Sequence, residues 1–213
     1  MIKHALRLGI GMLSAGLFLG CQGTGQSEGN STAPAHPAAD AANAPVHAAL
    51  AAAEDKGKEA VAEIHGAGDN RDKIHGKATF TQIDSGVKIV VDVEGLTPGK
   101  HGIHIHEKPD LSDPKLMSTG GHYNPDDGDH KHAGPDDPKR HAGDLGNIEA
   151  DASGHGHLEL TDDALSVDGK NAVVGHALII HEKEDDLHTQ QPPGNAGGRI
   201  AGGAIVLATQ SEK

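Results

Sequence analysis

The chain has no tryptophan, one tyrosine and two phenylalanines. Any core must therefore be built from Val, Ile, Leu and Ala rather than stacked rings. It has one cysteine, Cys21, so no intrachain disulfide can form. Positive charge is scarce: 18 Lys and Arg face 31 Asp and Glu, a formal net charge of -13. That balance argues against nucleic acid or an anionic membrane surface as a charge-matched partner. Long apolar runs are missing too. The run from Leu8 to Leu19 is short and Gly-rich for a membrane span. What is abundant is glycine, at 30 residues, and histidine, at 17. The glycines favour many turns and short strands over long helices.

Residues 1–21 read as a targeting segment, with Lys3 and Arg7 ahead of the apolar run. The run ends in Leu17-Phe18-Leu19-Gly20-Cys21, which resembles the lipobox of bacterial lipoproteins. That resemblance implies cleavage before Cys21, lipidation of its thiol and anchoring to a membrane by the lipid. A plain signal peptide or an uncleaved anchor is the alternative. All three place the mature domain outside the cytoplasm. Each buried methylene of a lipid chain adds about 0.8 kcal/mol of anchoring. Residues 22–57 are rich in Gly, Ala, Ser and Pro, with few large apolar side chains. Such a segment buries too little surface to offset its ordering entropy and reads as a flexible linker.

From residue 58 onward the pattern predicts an all-β domain running to 213. Val61–His65, Ile74–Gln82 and Val87–Val93 alternate with period two, separated by Gly, Asn or Asp. Further strand patterns follow at 101–106, 145–150, 155–160, 173–181 and 200–208. Short strands at close spacing with turn signals between them indicate an antiparallel sandwich or barrel. Two long polar stretches interrupt them, 108–143 and 182–199. Loops of that length inside a compact domain are normally functional or disordered.

The chemistry centres on His101-Gly102-Ile103-His104-Ile105-His106. On a strand, His104 and His106 project from one face. Neutral imidazole suits copper and zinc. His101 falls on the opposite face and reads as a hydrogen-bonded structural residue. The first loop carries Gly121-His122-Tyr123-Asn124-Pro125, Lys131-His132-Ala133-Gly134-Pro135 and Arg140-His141-Ala142-Gly143-Asp144. The second carries His181-Glu182-Lys183-Glu184-Asp185 and Gly194-Asn195-Ala196-Gly197-Gly198-Arg199.

In these blocks, in this order, the chain resembles the copper/zinc superoxide dismutases over residues 60–209. The resemblance implies a Greek-key β-barrel of about eight antiparallel strands with two long functional loops. It places copper on His104, His106, His122 and His181. It places zinc on His122, His132, His141 and Asp144, with His122 bridging the two metals. His130 competes with His132, and the Lys-His-Ala-Gly-Pro context favours His132. Asp185 matches a carboxylate that orients one ligand of each metal, and Arg199 matches the arginine that docks the superoxide anion beside copper. His155, His157, His176 and His188 read as exposed.

The activity so implied is dismutation of superoxide to oxygen and hydrogen peroxide by copper redox cycling, with structural zinc. Two rival readings stand beside it: a copper/zinc-binding protein without turnover, and a zinc-only surface module. The presence of Arg199 speaks against the first, and His104, His106 and His181 speak against the second. The family includes monomers and dimers, so a homodimer is among the expected assemblies. One departure stands out. The family's disulfide positions correspond to Leu111 and Gly202, which cannot form a bond. Zinc and packing must then hold the first loop, with Leu111 among the packed residues.

Overall fold

The computed structural model describes residues 57–126, 129–191 and 193–209. The proposed leader, Cys21 and nearly all of the proposed linker lie outside them. Among the described residues there is no α-helix. Nine strands form one antiparallel sheet: β1 (Glu59–Gly66), β2 (His75–Ile83), β3 (Gly86–Glu94), β4 (Gly99–His106), β5 (Asp144–Ala150), β6 (Gly156–Asp162), β7 (Ala177–His181), β8 (Arg199–Ala204) and β9 (Val206–Leu207). The strand order is β2-β3-β6-β5-β4-β7-β8-β1-β9, and β2 also pairs with β1. That last pairing closes an eight-strand barrel, with β9 as a short addition at β1. The neighbours β3–β6 and β4–β7 are the non-sequential pairings expected of Greek-key connections.

Alternation produces the barrel wall. In β3, Val87, Ile89, Val91 and Val93 are buried while the residues between them face outward. In β1, Ala60, Ala62 and Ile64 point inward, and Phe80 of β2 is the largest side chain of the interior. The main core joins these to Ile103, Ile105, Leu145, Ile148, Leu178 and Ile180. Burial of such side chains stabilises by about 1.5–3 kcal/mol each.

Two predicted strands are shorter or more broken than the pattern indicated. The segment 173–181 is strand only over β7, because Val173 and Val174 hydrogen-bond back to Ser166 and Val167 in a loop. The segment 200–208 breaks at Ile205, whose N–H donates to the His176 carbonyl.

β4 differs from the other strands. Both of its faces are buried from His101 to His106. Ile103 and Ile105 face the core, while His104 and His106 face the covering loops. β4 pairs with β5 from Gly99 to Gly102, shifts register and pairs with it again at His104, opposite Asp144, while Ile103 to His106 pair with β7. A buried, doubly paired strand is a rigid base for two imidazoles.

Candidate metal centre

Six histidines and two aspartates meet where the loops 107–143 and 182–198 fold back over β4. His104 and His106 come from β4 and His181 from the end of β7. His122 enters from the first loop through an isolated bridge to His106. Ligand atoms of His104, His106, His122 and His181 lie within 4.8 Å of one another. A second group, His104, His122, His132 and Asp144, meets the same limit. His122 belongs to both. His141 is outside that second group but has its Nδ1 3.2 Å from Asp144 Oδ2. His132 lies in the cluster, with Nδ1 3.1 Å from Asp144 Oδ1. His130 turns aside and pairs with Asn124 Oδ1 at 3.2 Å.

Among the described residues, five buried imidazole nitrogens have no hydrogen-bond partner: His104 Nδ1, His106 Nε2, His132 Nδ1, His141 Nδ1 and His181 Nε2. Buried polar atoms left unpaired cost about 1–3 kcal/mol each, so five in one place call for an occupant. The opposite nitrogens of four of these rings are engaged. His104 Nε2 sits 2.6 Å from Asp185 Oδ2, and His132 Nε2 sits 2.9 Å from Asp185 Oδ1. His106 Nδ1 is 3.0 Å from the Gly120 carbonyl, and His181 Nδ1 is 3.3 Å from that of Gly197. Partners of this kind set tautomer and ring orientation, so that the free nitrogen of each points into the cluster. One face of imidazole nitrogens suits copper, and three imidazoles with a carboxylate suit zinc.

The electrostatics separate the two sides. On the first side, burial, neighbouring imidazoles and Arg199 push His106 well below its usual value. Burial and His104 push His181 down to about 3. Burial brings His122 down to about 4 against the pull of Asp144. These rings are neutral near pH 7 and have lone pairs available. On the second side, burial would lower His132 as well, but the carboxylates of Asp144 and Asp185 beside its two nitrogens outweigh it and raise His132 to about 9. Burial would raise both carboxyls, yet the histidines around Asp144 and Asp185 hold each far below the ordinary carboxylate range.

A family model for copper/zinc superoxide dismutase matches residues 74–205 of the chain. The chain belongs to the copper/zinc superoxide dismutase family. It is 48% identical over 142 residues to an extracellular superoxide dismutase [Cu-Zn] of Drosophila melanogaster, covering 63% of this chain and 77% of that protein. It is 45% identical over 137 residues to the protein of the same description from Caenorhabditis elegans, covering 61% of this chain and 60% of that one. The crystal structure of the clock protein EA4 superposes with a TM-score of 0.64 at 38% identity, over 72% of this chain and 96% of that chain. The family's metals are copper and zinc, and the donor set described above fits both.

Several residues that build this centre were not evident in the sequence. Asn147 on β5 brackets Asp185: its side-chain amide donates to the Asp185 carbonyl at 2.9 Å, and Asp185 N–H donates back at 2.7 Å. Gln190 does the same for His132, accepting from its N–H at 3.0 Å and donating to its carbonyl at 2.7 Å. Gly194 leaves room for the Asp185 carboxylate, since a Cβ there would come within 2.2 Å of Oδ1. Arg140 is buried beside His141 and donates to the carbonyls of Pro135, His141 and Ala142 and to Asp162. The amide, glutamine and arginine had no spacing signal, because each acts on a neighbour distant in sequence or through backbone atoms.

Arg199 opens β8 at the edge of the cluster. Its Nη1 donates to the Leu116 carbonyl at 2.7 Å and to Thr119 Oγ1 at 2.9 Å, and its Nη2 donates to the Gly120 carbonyl at 2.7 Å. Three of its five N–H groups thus grip the first loop. The remaining two have no protein acceptor among the described residues.

The loop anchor reads differently from a disulfide. Leu111 packs onto a small cluster of Ala67, Leu116, Ala177 and Ile179. Gly202 lines the same hollow as Leu111 and Leu116, and a Cβ on it would lie 2.9 Å from the Leu178 carbonyl oxygen. Apolar packing and the Arg199 clamp occupy the place where the family's covalent link would be.

Of the four histidines expected to be exposed, His157 and His188 are, whereas His155 and His176 are half-buried. His176 stacks on Tyr123 at a ring separation of 3.9 Å.

Proposed function

We propose that this protein dismutates superoxide. One anion is oxidised to oxygen and a second is reduced to hydrogen peroxide, with two protons taken up. Copper would be held by His104, His106, His122 and His181, and zinc by His122, His132, His141 and Asp144. When bound, copper supplies the one-electron couple and zinc a fixed positive charge. The observation that supports this reading best is the pair of overlapping donor groups that share His104 and His122, whose ligand atoms lie within 4.8 Å of one another in each group.

The chain's own side chains do the rest. Asp185 holds His104 and His132 in register, so the two sides of the site keep one spacing. His122 Nδ1–H donates to the Asp144 carboxylate at 2.6 Å, which leaves Nε2 for the other side. Arg199 presents two unused N–H groups from a guanidinium that the loop cannot release, a fit for a small anion. Its charge offsets locally the net -13 of the chain. The test is metal analysis together with a superoxide-consumption assay on the purified protein loaded with copper and zinc. Stoichiometric metals without turnover would establish the metal-binding rival instead.

For the chain outside this domain, the reading is a lipoprotein-type leader at 1–21, lipid on Cys21, a linker at 22–57 and the enzyme at 58–213. It places the enzyme outside the cytoplasm, on the envelope. Relatives described as extracellular support the compartment. Cys21→Ser should move activity from the membrane fraction to a soluble extracytoplasmic one. Retention in the membrane would refute the lipid anchor. A homodimer is the assembly favoured by Val206 and Leu207, which are 53% and 47% exposed. A monomer mass by sedimentation at all concentrations would overturn it.

A further inference from the structure

The barrel's outer wall holds a second group of metal-ligating side chains, separate from the centre under the loops. Asp92 of β3 and His157 of β6 are direct partners across the ladder. Asp92 lies between the buried Val91 and Val93, so alternation turns it outward. His157 Nδ1 sits 2.7 Å from Asp92 Oδ1. His155, two residues earlier, falls on the same face, and its Nε2 lies 3.7 Å from that same oxygen. Two imidazoles therefore converge on one carboxylate.

The backbone carrying them is fixed. The N–H groups of Ser153 and His155 donate to Asp151 Oδ1 at 2.8 and 3.1 Å, and Asp151 N–H donates to the His155 carbonyl at 2.9 Å. Side-chain exposure is 40% for His155, 51% for His157 and 57% for Asp92, so the three are open to solvent among the described residues. The surroundings are acidic: Glu149 is the ladder partner of His157, and Glu94 follows Asp92 on the same face.

We propose that Asp92, His155 and His157 form an accessible site for zinc(II). Two neutral imidazoles and a carboxylate are a donor set of zinc type, with a further position left to water. Ligand atoms about 2.1 Å from one tetrahedral zinc stand roughly 3.4 Å apart. Asp92 Oδ1 already stands 3.7 and 2.7 Å from the His155 and His157 nitrogens, and the exposed rings can turn toward a shared ion at little cost. The site is weaker and more exchangeable than the buried centre, since three ligands on an open wall are less enclosed.

The experiment is zinc titration by calorimetry of the full-length protein already loaded with copper and zinc. One further equivalent should bind to the wild type. His155→Gln and His157→Gln should each weaken that binding at least about tenfold, the lower end of what disturbing a metal's surroundings costs. Superoxide-consumption activity should be unchanged in both, which doubles as the folding control. His65→Gln should leave the extra equivalent intact. His65 pairs with His75 across β1 and β2 and offers the competing pair of imidazoles on the wall. Absence of extra zinc binding up to about millimolar concentration would overturn the proposal. So would binding unaffected by either glutamine variant.

Discussion

Replacing Arg140 by methionine should destabilise the barrel more than removing any surface charge. Arg140 and Asp162 are 8% and 3% exposed, and Nη2 meets Oδ2 at 2.5 Å. The other guanidinium donors hold the carbonyls of Pro135, His141 and Ala142 at 2.9 to 3.0 Å. Methionine keeps the apolar stem but removes all four bonds. Asp162 then retains one backbone donor, the Ala164 N–H at 2.9 Å. Breaking a buried pair by deleting one partner costs about 3–5 kcal/mol, because the remaining charge is uncompensated. For a domain of this size that corresponds to a melting point lower by about 6–20 °C. The loss should be read by calorimetry on the metal-free protein, so that metal binding does not mask it. Arg140→Met with Asp162→Leu should recover a large part of the loss, since no charge is then stranded. A drop below about 2 °C in the single variant would refute the reasoning. So would a double variant as unstable as the sum of the two singles. The same single variant should bind zinc more weakly, because the His141 and Ala142 carbonyls lose their anchor beside His141, a proposed zinc ligand.

Three further outcomes follow from the same geometry. Arg199→Ala should lower the rate of superoxide consumption severalfold or more, flatten its salt dependence, and increase proteolysis of the first loop; an unchanged salt slope would count against anion steering. The metal-free protein should be most stable near pH 6.5 and weaken in both directions. His122 and His181 fold with values of about 4 and 3, below their ordinary 6.5, so their contribution is complete above 6.5 and is lost as pH falls. His132 folds at about 9, so its contribution is complete below 6.5 and is lost as pH rises through 9; a flat urea-unfolding profile from pH 4 to 9 would refute this. Gly202→Ala should destabilise by about 1–3 kcal/mol, because its Cβ would press on the Leu178 carbonyl and Ile179. Neutrality in chemical denaturation would show that β8 yields there.

The sequence alone determined the barrel and most of the donors. Period-two alternation and Gly-rich turns are local signals, and β1 to β6 can be read from them directly. His104 and His106 were legible for the same reason, since two residues on one strand face need no long-range information. The family pattern then pointed to the other proposed ligands by order and context. Neighbours that carry no pattern were decided by tertiary structure alone. Asn147 reaches Asp185, and Gln190 reaches His132, across dozens of residues. Sequence context favoured His132 over His130, and the tertiary structure supplies the physical reason: His132 is buried against Asp144 and Asp185, while His130 pairs with Asn124. The anchoring of the first loop was decided the same way. Sequence showed that Leu111 and Gly202 cannot make a disulfide. Folding showed what holds the loop in its place: packing of Leu111 against Ala67, Ala177 and Ile179, and three hydrogen bonds from Arg199, all of which exist only once the loop lies against the barrel.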